Sequence, residues 1–383
     1  MSSTYCNEPW KTIHYDQAGS MGPCCTFRGP MGGRDLMFGS VEEYLNSDWL
    51  KELRRKMLNS ERDAGCGNCW RKEDAGEDSL RLSRNRINGH VTEVDIDRVY
   101  LSFGNICNKS CNICRPARSS MIAKEYKKLG SDHEIYNIDS DPEITQKTFS
   151  GMYLDKWENY IDALDSANTI CFDGGEPFIT AQCTAILETL IKKGMTNKYI
   201  QTTTNGSASA YQYSLLSKFS KVDFDVSIDG INELYSLVRS PHDWTWWNDN
   251  HDRMLKNNNV GRVYQSVIHC LNVHQLPEML EYFISVNDNP ERRFGLTTIV
   301  TRPYLGTHIV PNAILEVVGN RLADMMHLFN SEEAANVQNA ITHIEYSMHN
   351  KNELDEANFK KFVDIFSPVK KLDYQSHLPW SIK

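Results

Sequence analysis

The chain has 383 residues and an ordinary globular composition, with 40% hydrophobic and 24% charged residues. Its formal net charge of −9 argues against a dedicated nucleic-acid binder. No apolar run approaches the length of a membrane span, and the polar residues from Met1 to Asp16 lack the apolar core of a signal peptide. We therefore expect a cytoplasmic protein with no membrane partner.

The first ninety residues hold Cys6, Cys24, Cys25, Cys66 and Cys69. Glycine-rich loops (residues 19–39) precede a predicted helix (residues 41–58) in which apolar residues recur at helical spacing. The charged stretch 71–90 has few large apolar residues and predicts a linker. Disulfides are not the default state of cysteines in a reducing compartment, so this many cysteines need another explanation.

After this linker, strand and helix patterns alternate, which favours a parallel sheet or barrel of βα units. The predicted strands are Arg98–Phe103, Thr169–Phe172, Tyr199–Thr203, Val222–Ile228, Arg262–His269 and Gly295–Val300. The predicted helices are Ser119–Lys128, Leu154–Ser166, Thr180–Lys193, Ala208–Phe219, Trp244–Lys256 and Leu276–Val286. An acidic insertion (residues 130–146) predicts a surface loop, and the pattern from Pro311 onward is helical.

Unusual residues follow the predicted strands, and ligands gather at these carboxyl ends in parallel βα architectures. They are Cys107, Cys111 and Cys114 after the first strand, Asp173-Gly174-Gly175-Glu176-Pro177 after the second, Thr204-Asn205-Gly206 after the third, Ser227-Ile228-Asp229-Gly230 at the fourth and Asn272 after the fifth. We expect them to share one rim of the sheet or barrel.

The cysteine trio Cys107, Cys111 and Cys114 is the most specific signal. Three thiolates within eight residues can wrap around one soft metal centre. In a cubane cluster of four irons, three cysteines would leave one iron without a protein ligand. Taken alone, the trio could instead be half of a structural zinc site, and Gly-Gly-Glu-Pro could be a turn before a helix.

Together, the C-x3-C-x2-C loop and the GGEP segment resemble the radical S-adenosylmethionine superfamily over residues 97–302. The resemblance implies that the trio holds a [4Fe–4S] cluster whose open iron binds S-adenosylmethionine, although Ile113 stands where an aromatic residue is more usual. Reductive cleavage would give a 5′-deoxyadenosyl radical that abstracts a hydrogen atom from a substrate. The implied cofactor-binding residues are Gly174, Gly175, Glu176, Pro177, Asn205, Ser227, Asp229 and Arg239.

The N-terminal cysteines resemble an auxiliary-cluster module called SPASM, or its shortened form called twitch. This module usually follows the barrel, whereas here it precedes it. The resemblance implies an auxiliary [4Fe–4S] cluster with the ligands Cys6, Cys24, Cys66 and Cys69. Cys25 could replace Cys24, and a four-cysteine zinc knuckle fits the spacing equally well. Four ligands would favour electron transfer, whereas three would leave an iron open to the substrate.

The resemblance implies an α/β chain built as a partial (β/α)6 TIM-like barrel with an N-terminal twitch module and a helical C-terminal extension. The corresponding domains are residues 1–92, 93–310 and 311–383. The implied partners are an electron donor such as flavodoxin or ferredoxin and a substrate. A peptide or protein substrate is favoured, with a nucleotide or aminocyclitol as the alternative.

Several questions stay open at this stage. The enzyme class, oxidoreductase or transferase, is undetermined, and no catalytic side chain is assigned beyond the cluster. The rival functions are a zinc-stabilised structural or interaction protein and a simple iron–sulfur electron carrier. Cys171, Cys183 and Cys270 lie in apolar patterns and are expected to be buried packing residues. His269 is expected to be a structural histidine, with a proton-relay role as the alternative.

Overall fold

The computed structural model describes residues 3–16, 20–28, 38–74, 78–130, 133–135, 161–287, 289, 292–298 and 302–381. Over these residues the chain is α/β, with eight strands in a mostly parallel sheet. Among the same residues, no helix combines the length and the apolar character that a membrane crossing requires. Most of the predicted acidic insertion and part of the predicted glycine-rich loops lie outside the described residues.

The strands, in chain order, are β1 (Thr12–Tyr15), β2 (Met21–Gly22), β3 (Arg98–Ser102), β4 (Thr169–Asp173), β5 (Tyr199–Thr204), β6 (Lys221–Ser227), β7 (Val260–Ile268) and β8 (Phe294–Thr298). The helices up to the middle of the chain are α1 (Glu8–Lys11), α2 (Val41–Asn46), α3 (Asp48–Leu58), α4 (Gly67–Asp74), α5 (Leu80–Asn88), α6 (Ser120–Leu129), α7 (Ile161–Ser166) and α8 (Ala181–Lys192). The later helices are α9 (Ala210–Leu216), α10 (Glu233–Val238), α11 (Trp244–Leu255), α12 (Leu276–Val286), α13 (Asn312–Asp324), α14 (Ser331–His349) and α15 (Glu353–Lys370).

The chain divides into two compact units. The first consists of Met1–Asn105, Phe149–Thr202 and Tyr211–Val222. The second consists of Ile106–Thr148, Thr203–Ala210 and Asp223–Lys383. The three domains expected from the sequence, and the closure of the strands into a partial barrel, remain predictions.

The sheet of the first unit contains two strands, β1 and β2, that the sequence did not predict. β1 runs parallel to β3, with Thr12 opposite Arg98, and antiparallel to β2. β3 is parallel to β4, and β4 is parallel to β5. β1 has only four residues and directly follows α1, so no extended alternation of apolar and polar positions marks it in the sequence.

The two faces of this sheet differ in polarity. Along β3, the side chains of Val99 and Leu101 are buried, whereas those of Arg98 and Tyr100 are half-buried. On β5, Ile200 is buried and its neighbour Gln201 is half-buried. Because side chains alternate across a strand, the buried apolar set forms a core on one face and leaves a polar opposite face.

The stretch 71–90, predicted as a linker, is largely helical, so that prediction was wrong. The end of α4 and the whole of α5 lie within it. Ser79 caps α5 by accepting a hydrogen bond from the Leu82 amide at 3.2 Å. Arg81 is buried, pairs with Glu73 and donates to the Tyr5 carbonyl at 2.7 Å. The helix therefore packs through charged residues, which an apolar periodicity does not reveal.

The second unit follows the sequence prediction closely. β7 is parallel to β8, with Tyr264 opposite Phe294. Helix α12 has the predicted bounds, and α13 to α15 confirm the predicted helical C-terminal region. Across both units the six predicted strands are confirmed to within two residues at each described end. The predicted helix 41–58 is interrupted at Ser47, which caps α3.

Candidate functional sites

The cysteine trio lies on an irregular loop between β3 and α6. The Lys109 amide donates to the Cys107 sulfur at 3.4 Å, and the Cys114 amide donates to the Cys111 carbonyl at 3.0 Å. Cys111 is buried, whereas Cys107 and Cys114 are half-buried. The loop therefore turns back on itself between the cysteines, and Cys111 is the most buried residue of the three.

Lys109, within this loop, is a buried cation. It is 1% exposed, and its ammonium donates to the Tyr235 hydroxyl at 2.9 Å. The same ammonium lies 3.6 Å from the centre of the Trp246 ring. Contacts with a hydroxyl and two aromatic rings offset part of the cost of burying the charge and fix the loop between Cys107 and Cys111.

Basic side chains surround the trio. They are Arg118, Arg239, Arg302 and Lys370. Burial raises the pKa of the Cys114 thiol, and the neighbouring Cys111 raises it further, while Arg302 lowers it. Nearby cations favour the thiolate, which is the form that binds soft metals. At Cys114, burial outweighs these cations, so a bound metal would have to displace the thiol proton.

Asn205 contacts the cysteine loop. Its side-chain nitrogen donates to the Asn108 side-chain oxygen at 2.8 Å, and the Asn108 side-chain nitrogen donates to the Ser207 hydroxyl at 2.9 Å. Ser207 also bonds to Asn205, which closes a triangle of side chains. The predicted site residue Asn205 thus lies directly beside the predicted cluster ligands.

Asp229 and Arg239 form a buried ion pair in the same unit. The Asp229 carboxylate also accepts a hydrogen bond from the Val267 amide at 2.8 Å. Burial opposes the charge of Arg239, but the Cys111 sulfur and the Asp229 carboxylate outweigh it and raise the arginine pKa. Ser227 is half-buried at the end of β6. The predicted residues Asp229 and Arg239 are therefore electrostatically linked to the trio.

The GGEP segment belongs to the first unit and packs on the end of β3. The Gly175 amide donates to the Gly104 carbonyl at 2.9 Å. Gly174 has φ +124°, and a Cβ there would lie 2.8 Å from the Phe103 nitrogen. The close approach of two backbone segments therefore requires glycine at this position.

Glu176 and Pro177 begin a short helical turn after these glycines. The buried Glu176 carboxylate accepts a hydrogen bond from the Phe178 amide at 3.2 Å, so it caps the turn that Pro177 starts. Its predicted contact with the methionine ammonium of a cofactor stays a prediction, as do the cofactor contacts of Gly174, Gly175 and Pro177.

Four N-terminal cysteines line one cavity of the first unit. They are Cys6, Cys24, Cys66 and Cys69. Apolar residues such as Pro9, Phe27 and Met57 complete the wall, together with Glu8 and Arg81. Cys25 is not part of this lining. The structure thus brings together the four residues that the sequence resemblance selected, although they span more than sixty positions of the chain.

Short hydrogen-bonded segments hold these cysteines in place. The Arg28 amide donates to the Gly65 carbonyl at 2.9 Å, and the Asn68 side chain donates to the Thr26 carbonyl at 3.0 Å. These bonds hold the loop that carries Cys24 against the turn that carries Cys66. A Cβ on Gly65 would lie 2.1 Å from the Phe27 ring, so only glycine fits this contact.

The surroundings of this cavity are apolar and acidic. Burial raises the pKa of Cys24 to about 11, and the Glu8 carboxylate contributes to the rise. Burial also raises the pKa of Cys66, with Cys24 and Asp63 adding to it. These thiols are therefore protonated at neutral pH unless a metal displaces their protons.

Within the described ranges, no group of three or more His, Cys, Asp or Glu side chains is arranged to hold a single metal ion. A cubane cluster makes a different demand, because each thiolate binds a separate iron and the sulfurs stand further apart. Cysteines that face a common cavity without converging on one point are compatible with such a group.

The remaining cysteines and the aromatic residues have packing roles. Cys171, Cys183 and Cys270 are buried, as predicted. Trp247 is fully buried and donates to the Tyr282 hydroxyl at 3.1 Å, which fits helix packing. His269 is also fully buried; its Nδ1 accepts from the Leu271 amide at 3.2 Å.

Sequence reasoning missed the residues that hold the cysteine loop from far along the chain. Arg302, Lys370 and Tyr374 all bond to residues between the cysteines. Nothing in the local pattern marks them, because a lysine at the end of a helix usually faces solvent.

No protein-family model and no curated protein matches the chain. Among solved structures, it resembles hexahistidine-tagged anSMEcpe with bound AdoMet, with a TM-score of 0.43 and 16% identity over 61% of this chain and 59% of that one. It also resembles native anSMEcpe with bound AdoMet and Kp18Cys peptide, with a TM-score of 0.43 and 15% identity over 60% of each chain.

A third likeness is to Streptococcus suis SuiB bound to precursor peptide SuiA, with a TM-score of 0.39 and 11% identity over 69% of this chain and 60% of that one. The matches thus span about three fifths of the length of these solved chains. At TM-scores below 0.5, such likenesses do not assign a family.

Proposed function

We propose that the chain is a radical S-adenosylmethionine enzyme. The observation that carries the proposal is the loop of Cys107, Cys111 and Cys114. Cations surround it, and the Asp229–Arg239 pair is linked to it electrostatically within one unit. The trio leaves one iron of a cubane without a protein ligand, and the sequence pattern for the cofactor accompanies it. An electron carrier would need no such accompanying residues.

A zinc-stabilised structural protein is the alternative, because cysteines at this spacing also suit a tetrahedral zinc site. The combination of the trio with the GGEP segment favours the radical enzyme.

The chemistry that such a cluster supplies when bound is the reductive cleavage of S-adenosylmethionine to a 5′-deoxyadenosyl radical. The chain's own residues would hold the cofactor. Ser227 and Asp229 offer a hydroxyl and a carboxylate for the ribose hydroxyls, and Glu176 offers a carboxylate for the methionine ammonium. Asn205 would hold the cysteine loop through Asn108, and Arg239 would hold the Asp229 carboxylate.

The N-terminal cavity is the second part of the proposal. We assign Cys6, Cys24, Cys66 and Cys69 as the ligands of an auxiliary [4Fe–4S] cluster, because these four thiols line one cavity. Cys25, which is outside that lining, is not assigned. Four protein ligands leave no open iron, which suits a role in accepting an electron from the substrate radical. A donor such as flavodoxin or ferredoxin would supply the electron needed at the trio.

We infer a peptide substrate from the resemblance of the N-terminal module, with a nucleotide or aminocyclitol as the alternative. The inference can be tested with candidate precursor peptides and mass spectrometry. We propose three domains for the chain: the auxiliary module (residues 1–92), the core (residues 93–310) and the helical extension (residues 311–383).

Metal analysis after anaerobic purification tests the proposal directly. Two cubane clusters require about eight irons per chain. The reduced protein incubated with S-adenosylmethionine should release 5′-deoxyadenosine. Stoichiometric zinc with negligible iron would favour a structural protein, and iron without 5′-deoxyadenosine would favour an electron carrier; either result contradicts the proposal.

A further inference from the structure

The backbone on both sides of Cys111 is held by residues distant in the chain. The Ser110 amide donates to the Ser240 carbonyl at 2.7 Å, and the Asn112 amide donates to the Val238 carbonyl at 3.0 Å. Since the loop has no regular secondary structure of its own, these contacts define its path. They account for the two amides that flank Cys111, but not for the carbonyls.

The carbonyls and the Asn112 side chain are bound by residues from the C-terminal part of the chain. The Lys370 ammonium donates to the Ser110 carbonyl at 2.6 Å and to its hydroxyl at 3.0 Å. Arg302 donates to the Asn112 carbonyl at 2.9 Å. The Tyr374 hydroxyl donates to the Asn112 side-chain oxygen at 2.8 Å.

Lys370 is an unusual residue to find in such a position. Its side chain is 2% exposed, and its ammonium lies 2.8 Å from the Glu125 carboxylate. The ammonium therefore donates to one carbonyl and one hydroxyl and forms an ion pair with one carboxylate. A buried ion pair of this kind contributes little net stability compared with apolar residues of the same size, but it fixes geometry.

We propose that Lys370 and Tyr374 are positioning residues for the cysteine trio. Lys370 holds the Ser110 carbonyl and Tyr374 holds the Asn112 side chain, on either side of Cys111, and Lys370 adds a positive charge near the cysteine sulfur. The inference rests on the proposed function in that the positioned thiol is taken as a cluster ligand. In that setting the lysine makes it easier to add an electron, because a nearby cation stabilises the extra negative charge.

Two variants separate positioning from general stability. Tyr374→Phe removes one hydroxyl and leaves the ring in place. The double variant Glu125→Gln/Lys370→Met removes both charges of the buried pair, so that no lone carboxylate is left in the interior. The matched controls are Tyr346→Phe and Lys371→Met, because Tyr346 and Lys371 are exposed.

The first readout needs no iron. In the metal-free protein, alkylation of Cys111 followed by mass spectrometry reports how often the loop opens. Loss of one buried hydrogen bond should accelerate alkylation of Cys111 by about tenfold, while buried Cys183 should react at the wild-type rate in the same sample. Equal Cys111 rates in wild type, Tyr374→Phe and the double variant would overturn the positioning role.

The second readout uses the reconstituted protein. The electron paramagnetic resonance signal of the trio's cluster should change in both variants and in neither control. Its reduction potential should fall in Lys370→Met alone, which removes the positive charge and keeps Glu125, and an unchanged potential in that variant would overturn the charge effect. If the wild type takes up no iron at the trio, the proposed function fails, whereas the alkylation comparison still decides the positioning role.

Discussion

The two cysteine sites use the same ligand chemistry in opposite surroundings. The trio lies on an irregular loop among arginines and lysines, held by residues from the far end of the chain. The N-terminal cysteines line an apolar cavity beside Glu8 and Asp63, and local turns hold them. More cations act on the trio than on the N-terminal cavity, where Arg81 accompanies Glu8, and an excess of cations favours a reduced cluster. Equal ligands therefore do not imply equal redox roles.

The largest expected effect is the loss of iron when a cysteine of either site is replaced. Cys111→Ala should lose the trio's four irons and all release of 5′-deoxyadenosine, because the open cluster loses a ligand. Cys66→Ala should lose the auxiliary irons but keep part of that release. Iron analysis and a 5′-deoxyadenosine assay measure both. Cys183→Ala is the control, since Cys183 is a buried residue of α8 outside both sites.

Complete loss of 5′-deoxyadenosine in a folded Cys66→Ala variant would contradict this division of labour. The two sites would then act as one coupled centre and not as separate electron-accepting and cofactor-cleaving sites.

The next effect distinguishes neighbouring cysteines within the N-terminal site. Cys24→Ser should remove the auxiliary cluster, because Cys24 lines the cavity, whereas Cys25→Ser should retain it. Iron content and the absorbance of the cluster measure the difference. The opposite result, with iron lost only in Cys25→Ser, would make Cys25 the ligand.

A smaller effect tests how tightly the N-terminal cavity is packed. A Cβ on Gly65 would meet the Phe27 ring at 2.1 Å, so Gly65→Ala should lower the free energy of unfolding by about 1–3 kcal/mol. At Gly67 the nearest atom is on the Arg71 side chain at 3.5 Å, which makes Gly67→Ala a matched control. Denaturant titration measures both, and an unaffected Gly65→Ala would mean that this packing is loose.

The smallest effect concerns acid. Burial lowers the pKa of His269 to about 4, from 6.5 in the unfolded chain. Between these values the unfolded chain binds a proton that the folded chain does not, so the stability is full above pH 6.5 and is lost as the pH falls towards 4. Lowering the pH from about 7 to about 5.5 should cost about 1 kcal/mol through His269 alone.

Unfolding titrations at both pH values measure this cost. His269→Asn should reduce the pH dependence, whereas His349→Asn, at an exposed site, should preserve it. Among the described residues, the histidines with a lowered pKa all belong to the second unit, so acid should weaken the trio's unit first. An equal pH dependence in His269→Asn and the wild type would rule out His269 as a source.

The sequence predicted the parts of the fold that depend on apolar periodicity. The six strands and α12 follow from such patterns. It failed for α5, because the buried residue there is Arg81, whose burial is made possible by Glu73 and the Tyr5 carbonyl. It also missed β1, whose four residues are too short a run to stand out as a strand.

In the candidate sites, too, some residues were predictable from the sequence and others were not. The ligands themselves were predictable, because cysteine spacing is a local property of the chain. Their supports were not, since Lys370 lies 260 positions from Ser110. Which residue compensates a buried charge depends on three-dimensional contacts that no short stretch of sequence records.

The parallel pairing of β1 with β3 has a consequence for any shortened form of the protein. Thr12 to Tyr15 satisfy the backbone groups on one side of β3. Deleting the N-terminal ninety residues would leave that side as a bare edge strand, able to recruit strands of other molecules. The cysteine-bearing segment therefore also covers the edge of β3 and prevents self-association. The rest of the chain is expected to aggregate when it is expressed without this segment.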